Sequence, residues 1–158
     1  MKNFYTNKNY GSILSKKSPS AHAWIRGNKD YPTLNGLANF YETSIGGILV
    51  SVEIYGMPTT NPSGFHGMHI HEFGDCTIPF DKTGNHYNPT NSPHPNHIGD
   101  LPPLLNNNGY AYTTFYDTRF TIADLLGKSL IIHSNRDDFT SQPSGDAGFK
   151  IGCGVIRR

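Results

Sequence analysis

Long apolar runs are missing. Nothing in the 158 residues approaches the roughly 20 consecutive apolar positions of a membrane-spanning helix. Charge of one dominant sign is missing too: thirteen Lys and Arg stand against twelve Asp and Glu, a formal net charge of +1. With no charge block there is no footprint for nucleic acid or a membrane surface, so any steering of a charged substrate must come from a local field. Cysteine is scarce. Cys76 and Cys153 lie far apart, and by composition alone they read as reduced thiols, the default inside a cell. Helical periodicity over more than two turns is absent, and 17 Gly with 11 Pro argue against a helical bundle. The N-terminal stretch carries Lys2, Lys8, Lys16 and Lys17 among Asn, Tyr and Ser. It lacks the apolar core of about 7–15 residues that a secretory signal needs. The expectation is a polar arm over residues 1–20, one domain over 21–158, and a cytoplasmic protein.

What is present is alternation with period two. Ile48, Val50, Val52 and Ile54 share one face of a strand, with Ser51, Glu53 and Tyr55 on the other. Ala21 to Arg26, Leu37 to Tyr41, Tyr110 to Tyr116 and Leu130 to His133 read as further strands, separated by glycine-containing turns. Only Thr121 to Gly127 reads as a short helix. The fold expected is all-β: a Greek-key antiparallel barrel or sandwich of about eight strands. Two long loops interrupt it, from about Glu72 to Pro103 and from about Ser134 to Ile151. A structureless connection of some thirty residues needs something to order it, and a buried metal supplies that.

The histidines say which residues would hold one. Seven of eight lie between His66 and His133. In GFHGMHIH (Gly64 to His71), His69 and His71 are two apart and project from one strand face. His66 shares the parity of Met68 and Ile70 and is expected to be a hydrogen-bonded core histidine. His86 follows, then His94, His97 and Asp100 in HPNHIGD, then His133 in LIIHS. Imidazoles suit copper and zinc, and imidazoles with a carboxylate suit zinc. The number exceeds what one zinc needs, which suggests two neighbouring metals.

These segments resemble the copper/zinc superoxide dismutase family. Gly67 to Asp75 is similar to its first signature, Gly84 to Pro89 to the segment around its metal-bridging histidine, His97 to Leu101 to the end of its zinc loop, and Gly145 to Ile156 to its C-terminal signature. The resemblance covers roughly Ala21 to Ile156. It implies copper on His69, His71, His86 and His133, and zinc on His86, His94, His97 and Asp100, with His86 bridging the two ions and relaying a proton. It implies that Asp137 links His69 to His94 and fixes their tautomers, although Asp138 stands beside it and a turn aspartate is the plain alternative. It implies a Cys76–Cys153 disulfide in place of reduced thiols. Superoxide would be the substrate, a homodimer the usual assembly, and a copper chaperone a possible partner.

Departures from the family pattern bear on substrate capture. Lys150 stands where an arginine is usual, three residues before Cys153; it keeps the charge but not the rigid guanidinium fork, and a solvated strand-end lysine is its plain alternative. The His94–His97 gap is short, Cys76 lies close to His71, Asp146 replaces an asparagine, and Ser134 to Gly145 is short and lacks the usual run of charged residues. None removes a metal ligand. Rival readings are a non-enzymatic copper binder on the same scaffold and a zinc-stabilised interaction module. A degenerate relative would be expected to have lost copper-side histidines, and all four are present.

Overall fold

Alternating apolar residues with β-branched side chains make the strand from Ile48 to Tyr55 the spine of the barrel. The computed structural model describes residues 10–158. In chain order its elements are α1 (Tyr10–Lys16), β1 (Ala21–Gly27), β2 (Asn35–Glu42), β3 (Ile48–Tyr55), β4 (Phe65–His66), β5 (Met68–His71), β6 (Leu104–Leu105), β7 (Tyr110–Asp117), α2 (Ile122–Leu125), β8 (Ser129–His133) and β9 (Lys150–Val155). Ile48, Val50, Val52 and Ile54 are buried and Tyr55 turns out to solvent. β3 pairs antiparallel with β2, from Asn35↔Tyr55 to Glu42↔Ile48, and with β7, from Ile48↔Asp117 to Tyr55↔Tyr110.

Seven strands form one antiparallel sheet in the order β5-β8-β9-β1-β2-β3-β7. The chain leaves β3, next to one edge, and re-enters at the far edge as β5, then returns through β6 to pair outside β3 as the edge strand β7. That long crossing is the Greek key. A two-stranded ladder, Phe65↔Leu105 and His66↔Leu104, joins β4 to β6, and β6 lies against β7. The ladder therefore bridges the two edges and curls the sheet into a barrel. Phe40, Ile54, Met68, Ile70, Leu104, Leu130 and Ile132 fill its interior.

Among the described residues nine strands stand where about eight were expected, because one is broken. Gly67 interrupts β4–β5 by turning its N–H to the Asn135 carbonyl and its own carbonyl to the His133 N–H (2.7 and 2.9 Å). The helix expectation is corrected in one place. Thr121 caps α2, accepting from the Asp124 N–H while the Asp124 carboxylate accepts from the Thr121 N–H, a capping box. A second helix, α1, forms inside the polar arm. Seven residues are too few to be helical alone, and the docking that holds them is tertiary: Tyr10 stacks on Tyr116 at 5.7 Å, and the Lys17 ammonium donates to the Glu42 carbonyl. Residues 1–9 of the arm lie outside the described residues.

The disulfide Cys76–Cys153 ties the first loop to β9, with the two Cα atoms 5.7 Å apart. The reduced-thiol reading from composition is thereby overturned.

Candidate metal centre

Strand β5 carries His69 and His71, and the loops on either side of it bring the rest. β5 pairs with β8 along one edge. Its other edge is covered by the first long loop through two isolated bridges, His71↔His86 and His69↔Asp100. Gly99 is threaded between β5 and Tyr87: its carbonyl accepts from the Ile70 N–H and its N–H donates to the Tyr87 carbonyl, both at 2.8 Å. A Cβ there would fall 2.3 Å from the Ile70 carbonyl oxygen, so only glycine allows the approach. Because the loop covers it, the outer face of β5 is buried rather than solvated.

Two groups of side chains result, each with ligand atoms within 4.8 Å of one another: His69, His71, His86 and His133, and His86, His94, His97 and Asp100. His86 belongs to both. In the second group the Asp100 carboxylate sits amid three imidazoles, with Oδ1 2.7 Å from His86 Nδ1 and Oδ2 3.0 and 3.2 Å from His94 Nδ1 and His97 Nδ1. In the first group, His69 Nδ1, His71 Nε2, His86 Nε2 and His133 Nε2 are buried and have no hydrogen-bond partner among the described residues. Four orphaned imidazole nitrogens in one buried cluster cost free energy unless something accepts their lone pairs. A metal ion fits that requirement.

The opposite ring nitrogens are held. Asp137 is buried and accepts from His69 Nε2 at 2.7 Å and His94 Nε2 at 2.9 Å. Both protons therefore sit on Nε2, which frees each Nδ1. His71 Nδ1 donates to the Gly84 carbonyl and His133 Nδ1 to the Gly148 carbonyl (2.9 and 3.2 Å). Asp138, by contrast, turns outward to bond Thr140 and Ser141. Gly145 packs on the Asp137–His94 pair at positive φ, and a Cβ would fall 2.1 Å from Asp137 Oδ1. His66 is buried and donates from Nδ1 to the His133 carbonyl at 2.9 Å, a core role that also steadies His133.

Electrostatics prepare the donors. Burial lowers the pKa of His69 to about 4, against the hydrogen bond it donates to Asp137, which raises it, and burial sets His71 and His133 well below the ordinary value. Desolvation raises Asp100, but the His86 hydrogen bond and the three neighbouring imidazoles bring it down to about 2. Asp137 is lowered too, its bonds to His69, the Phe139 N–H and His94 overcoming burial. Neutral imidazoles and ionised carboxylates are the forms that bind metal.

Lys150 is half-buried. A register shift in the β8–β9 ladder pairs His133 with Lys150 directly after Ile132 with Gly152, a bulge that re-aims the lysine. Its ammonium donates to Thr83 Oγ1 and to the Gly84 carbonyl, both at 2.9 Å, so Gly84 serves His71 and Lys150 together. Burial lowers its pKa, opposed by Asp81 and Glu72. The lysine lines an open cleft of about 490 Å³ with His71, His86, His133, Pro143 and Ser144.

Two residues here had no signal in the sequence. Gln142 makes a reciprocal pair of bonds with the His94 peptide, accepting from its N–H (3.1 Å) and donating to its carbonyl (2.7 Å). Arg119 donates to the carbonyls of Asp100 (2.7 Å) and His97 (3.3 Å).

Comparison with known proteins gives consistent matches. The family model for copper/zinc superoxide dismutase matches residues 34–156. The Cu-Zn superoxide dismutase of Paramecium bursaria Chlorella virus 1 is 32% identical over 165 residues, covering 94% of this chain and 83% of that protein. The extracellular Cu-Zn superoxide dismutase of Mus musculus is 31% identical over 137 residues, covering 80% of this chain. The chain spans 55% of that relative's length, about half of it. Among solved structures, a double mutant of a SOD-like protein from Bacillus subtilis aligns with a TM-score of 0.75 at 27% identity, covering 85% of this chain and 95% of that one.

Proposed function

The chain belongs to the copper/zinc superoxide dismutase family of oxidoreductases, and from that premise we propose that it dismutes superoxide to oxygen and hydrogen peroxide. In this reading His69, His71, His86 and His133 hold copper, and His86, His94, His97 and Asp100 hold zinc. Four imidazoles suit an ion that must be stable in two oxidation states, while the carboxylate-containing set suits redox-inert zinc. The observation that carries the proposal is the position of His86: one ring belongs to both groups, with Nδ1 toward Asp100 and Nε2 buried among the other three histidines.

Copper held by His69, His71, His86 and His133 would supply one-electron redox chemistry. The residues do the rest. His86 Nε2, buried among the other three imidazoles, would carry one proton to the reduced oxygen, with a second proton coming from water, so that peroxide leaves neutral. His86 Nδ1, 2.7 Å from Asp100 Oδ1, keeps the ring in place. Asp137 holds the Nε2 protons of His69 and His94, so neither ring can swing or tautomerise away from its group. Lys150 attracts the substrate anion to the cleft mouth beside His71, His86 and His133. In a chain of net charge +1, attraction of an anion depends on such local charge.

The test is superoxide decay by pulse radiolysis on copper- and zinc-loaded protein, beside a His133→Ala variant. Fast decay lost in the variant is expected. No decay from parent protein of verified copper content would leave the histidines as a metal store and sink the dismutase reading.

A further inference from the structure

We propose that Arg119 is a positioning residue for the group His86, His94, His97 and Asp100. It clamps the turn that carries two of the four side chains, and the inference rests on the reading of that group as the zinc site. Arg119 follows β7 by two residues, far from either ligand loop in sequence. Its guanidinium spends its donors on two tasks. Toward the barrel, Nε lies 3.1 Å from both carboxylate oxygens of Asp117, and Nη2 lies 2.6 Å from Oδ2. Toward the loop, Nη2 donates to the Asp100 carbonyl and Nη1 to the His97 carbonyl.

Asp117 is the anchor. It is 7% exposed at the end of β7, opposite Ile48 in the ladder, and its Oδ1 also accepts from the Arg119 N–H at 2.8 Å. The guanidinium is thus fixed to the barrel from one side and offers a planar fork to the loop from the other.

The turn it grips is the hub of the group. His97 N–H donates to Asp100 Oδ2 at 3.0 Å, and Asp100 N–H to the His97 carbonyl at 3.2 Å. Every imidazole of the group meets the Asp100 carboxylate, so a shift of that backbone would move the shared donor away from three rings at once. The segment from His94 to Asp100 is short, and the barrel supplies from β7 the rigidity that a longer loop would build for itself. Lysine substitutes only in part: a single ammonium nitrogen cannot span both carbonyls and the Asp117 carboxylate in one plane.

The experiment is a zinc titration of metal-depleted, disulfide-intact full-length protein against a chromophoric chelator. It is run on the parent, Arg119→Gln and Arg119→Lys, with cobalt(II) absorption spectra of each at saturation. A loosened turn is expected to weaken zinc by about ten- to a hundredfold in Arg119→Gln and to shift the cobalt ligand-field bands, a readout that general destabilisation would not move. Arg119→Lys should recover only part of the affinity; it also carries the comparison if the glutamine variant does not fold. Affinities within about twofold of the parent in the folded variants would overturn the clamp. A parent that takes up no zinc would instead overturn the assignment of the group on which the clamp rests.

Discussion

Breaking the Cys76–Cys153 bond should destabilise the metal-free protein by an amount that follows from chain length. The bond spans a sequence separation of 77 residues. In the chain-entropy model a closed loop of that size removes about 15 cal/mol/K from the unfolded ensemble, or roughly 4.5 kcal/mol at 25 °C. For a domain of this size each kcal/mol moves the melting temperature by about 2–4 °C, so reduction should lower it by roughly 10–18 °C. Metal must be absent, because ligands that bind only the folded state would mask the change. The assay is calorimetric or circular-dichroism melting of oxidised protein against reduced, alkylated protein, each verified by mass.

The bond also has a local consequence that distinguishes it from a generic crosslink. Its loop end leads into Thr83 and Gly84, and its strand end lies three residues from Lys150, which bonds both. Reduction should therefore free the lysine and loosen the Gly84 carbonyl that holds His71. A melting shift below about 3 °C would refute the entropy argument. Native-like melting with slowed superoxide decay would leave only the local role.

Other outcomes follow from the site. Lys150→Arg should raise the superoxide rate by restoring a fork to orient the anion, and Lys150→Gln should lower it by about tenfold at low ionic strength, a gap that closes in high salt; a salt-independent difference would exclude steering. Asp137→Asn leaves one of the two Nε2 protons facing an amide donor, so zinc affinity should fall by about 10–100-fold in chelator competition, and an unchanged affinity would refute its bridging role. Stability of the metal-free protein should fall as pH drops from 6.5 toward 4, because the unfolded chain binds a proton in that window and His69, held near 4 by burial, does not. That residue alone is worth up to about 3 kcal/mol, with His71 and His133 acting in the same direction. Asp100 adds a loss only below its unfolded value of 3.8, as pH falls through about 2. Urea midpoints independent of pH between 5 and 7 would contradict this.

How much of this was legible depended on whether a residue's role leaves a local trace. β3 declared itself because burial on one face of a strand imposes a period of two on the side chains, and Ile48 to Ile54 obey it. His69 and His71 were readable by the same parity. What parity could not say is that both faces of β5 would be covered, since the cover comes from residues fifteen and more positions further on. β4 and β6 are two residues each and exist only where the fold brings Phe65 and His66 beside Leu105 and Leu104; no pattern can announce a ladder that short. α1 is likewise made by what it docks against. The metal-ligand candidates are the opposite case. Their chemistry demands particular side chains, and those stand out in any sequence. Asp137 is half-way: its type is demanded, but Asp138 satisfies the same demand and only the fold separates them. Arg119 and Gln142 leave no trace at all, because they act on peptide groups, at Asp100, His97 and His94, and every residue offers those. A side chain that binds metal is specified by what it is, and one that holds the backbone of a ligand is specified by where the chain has brought it.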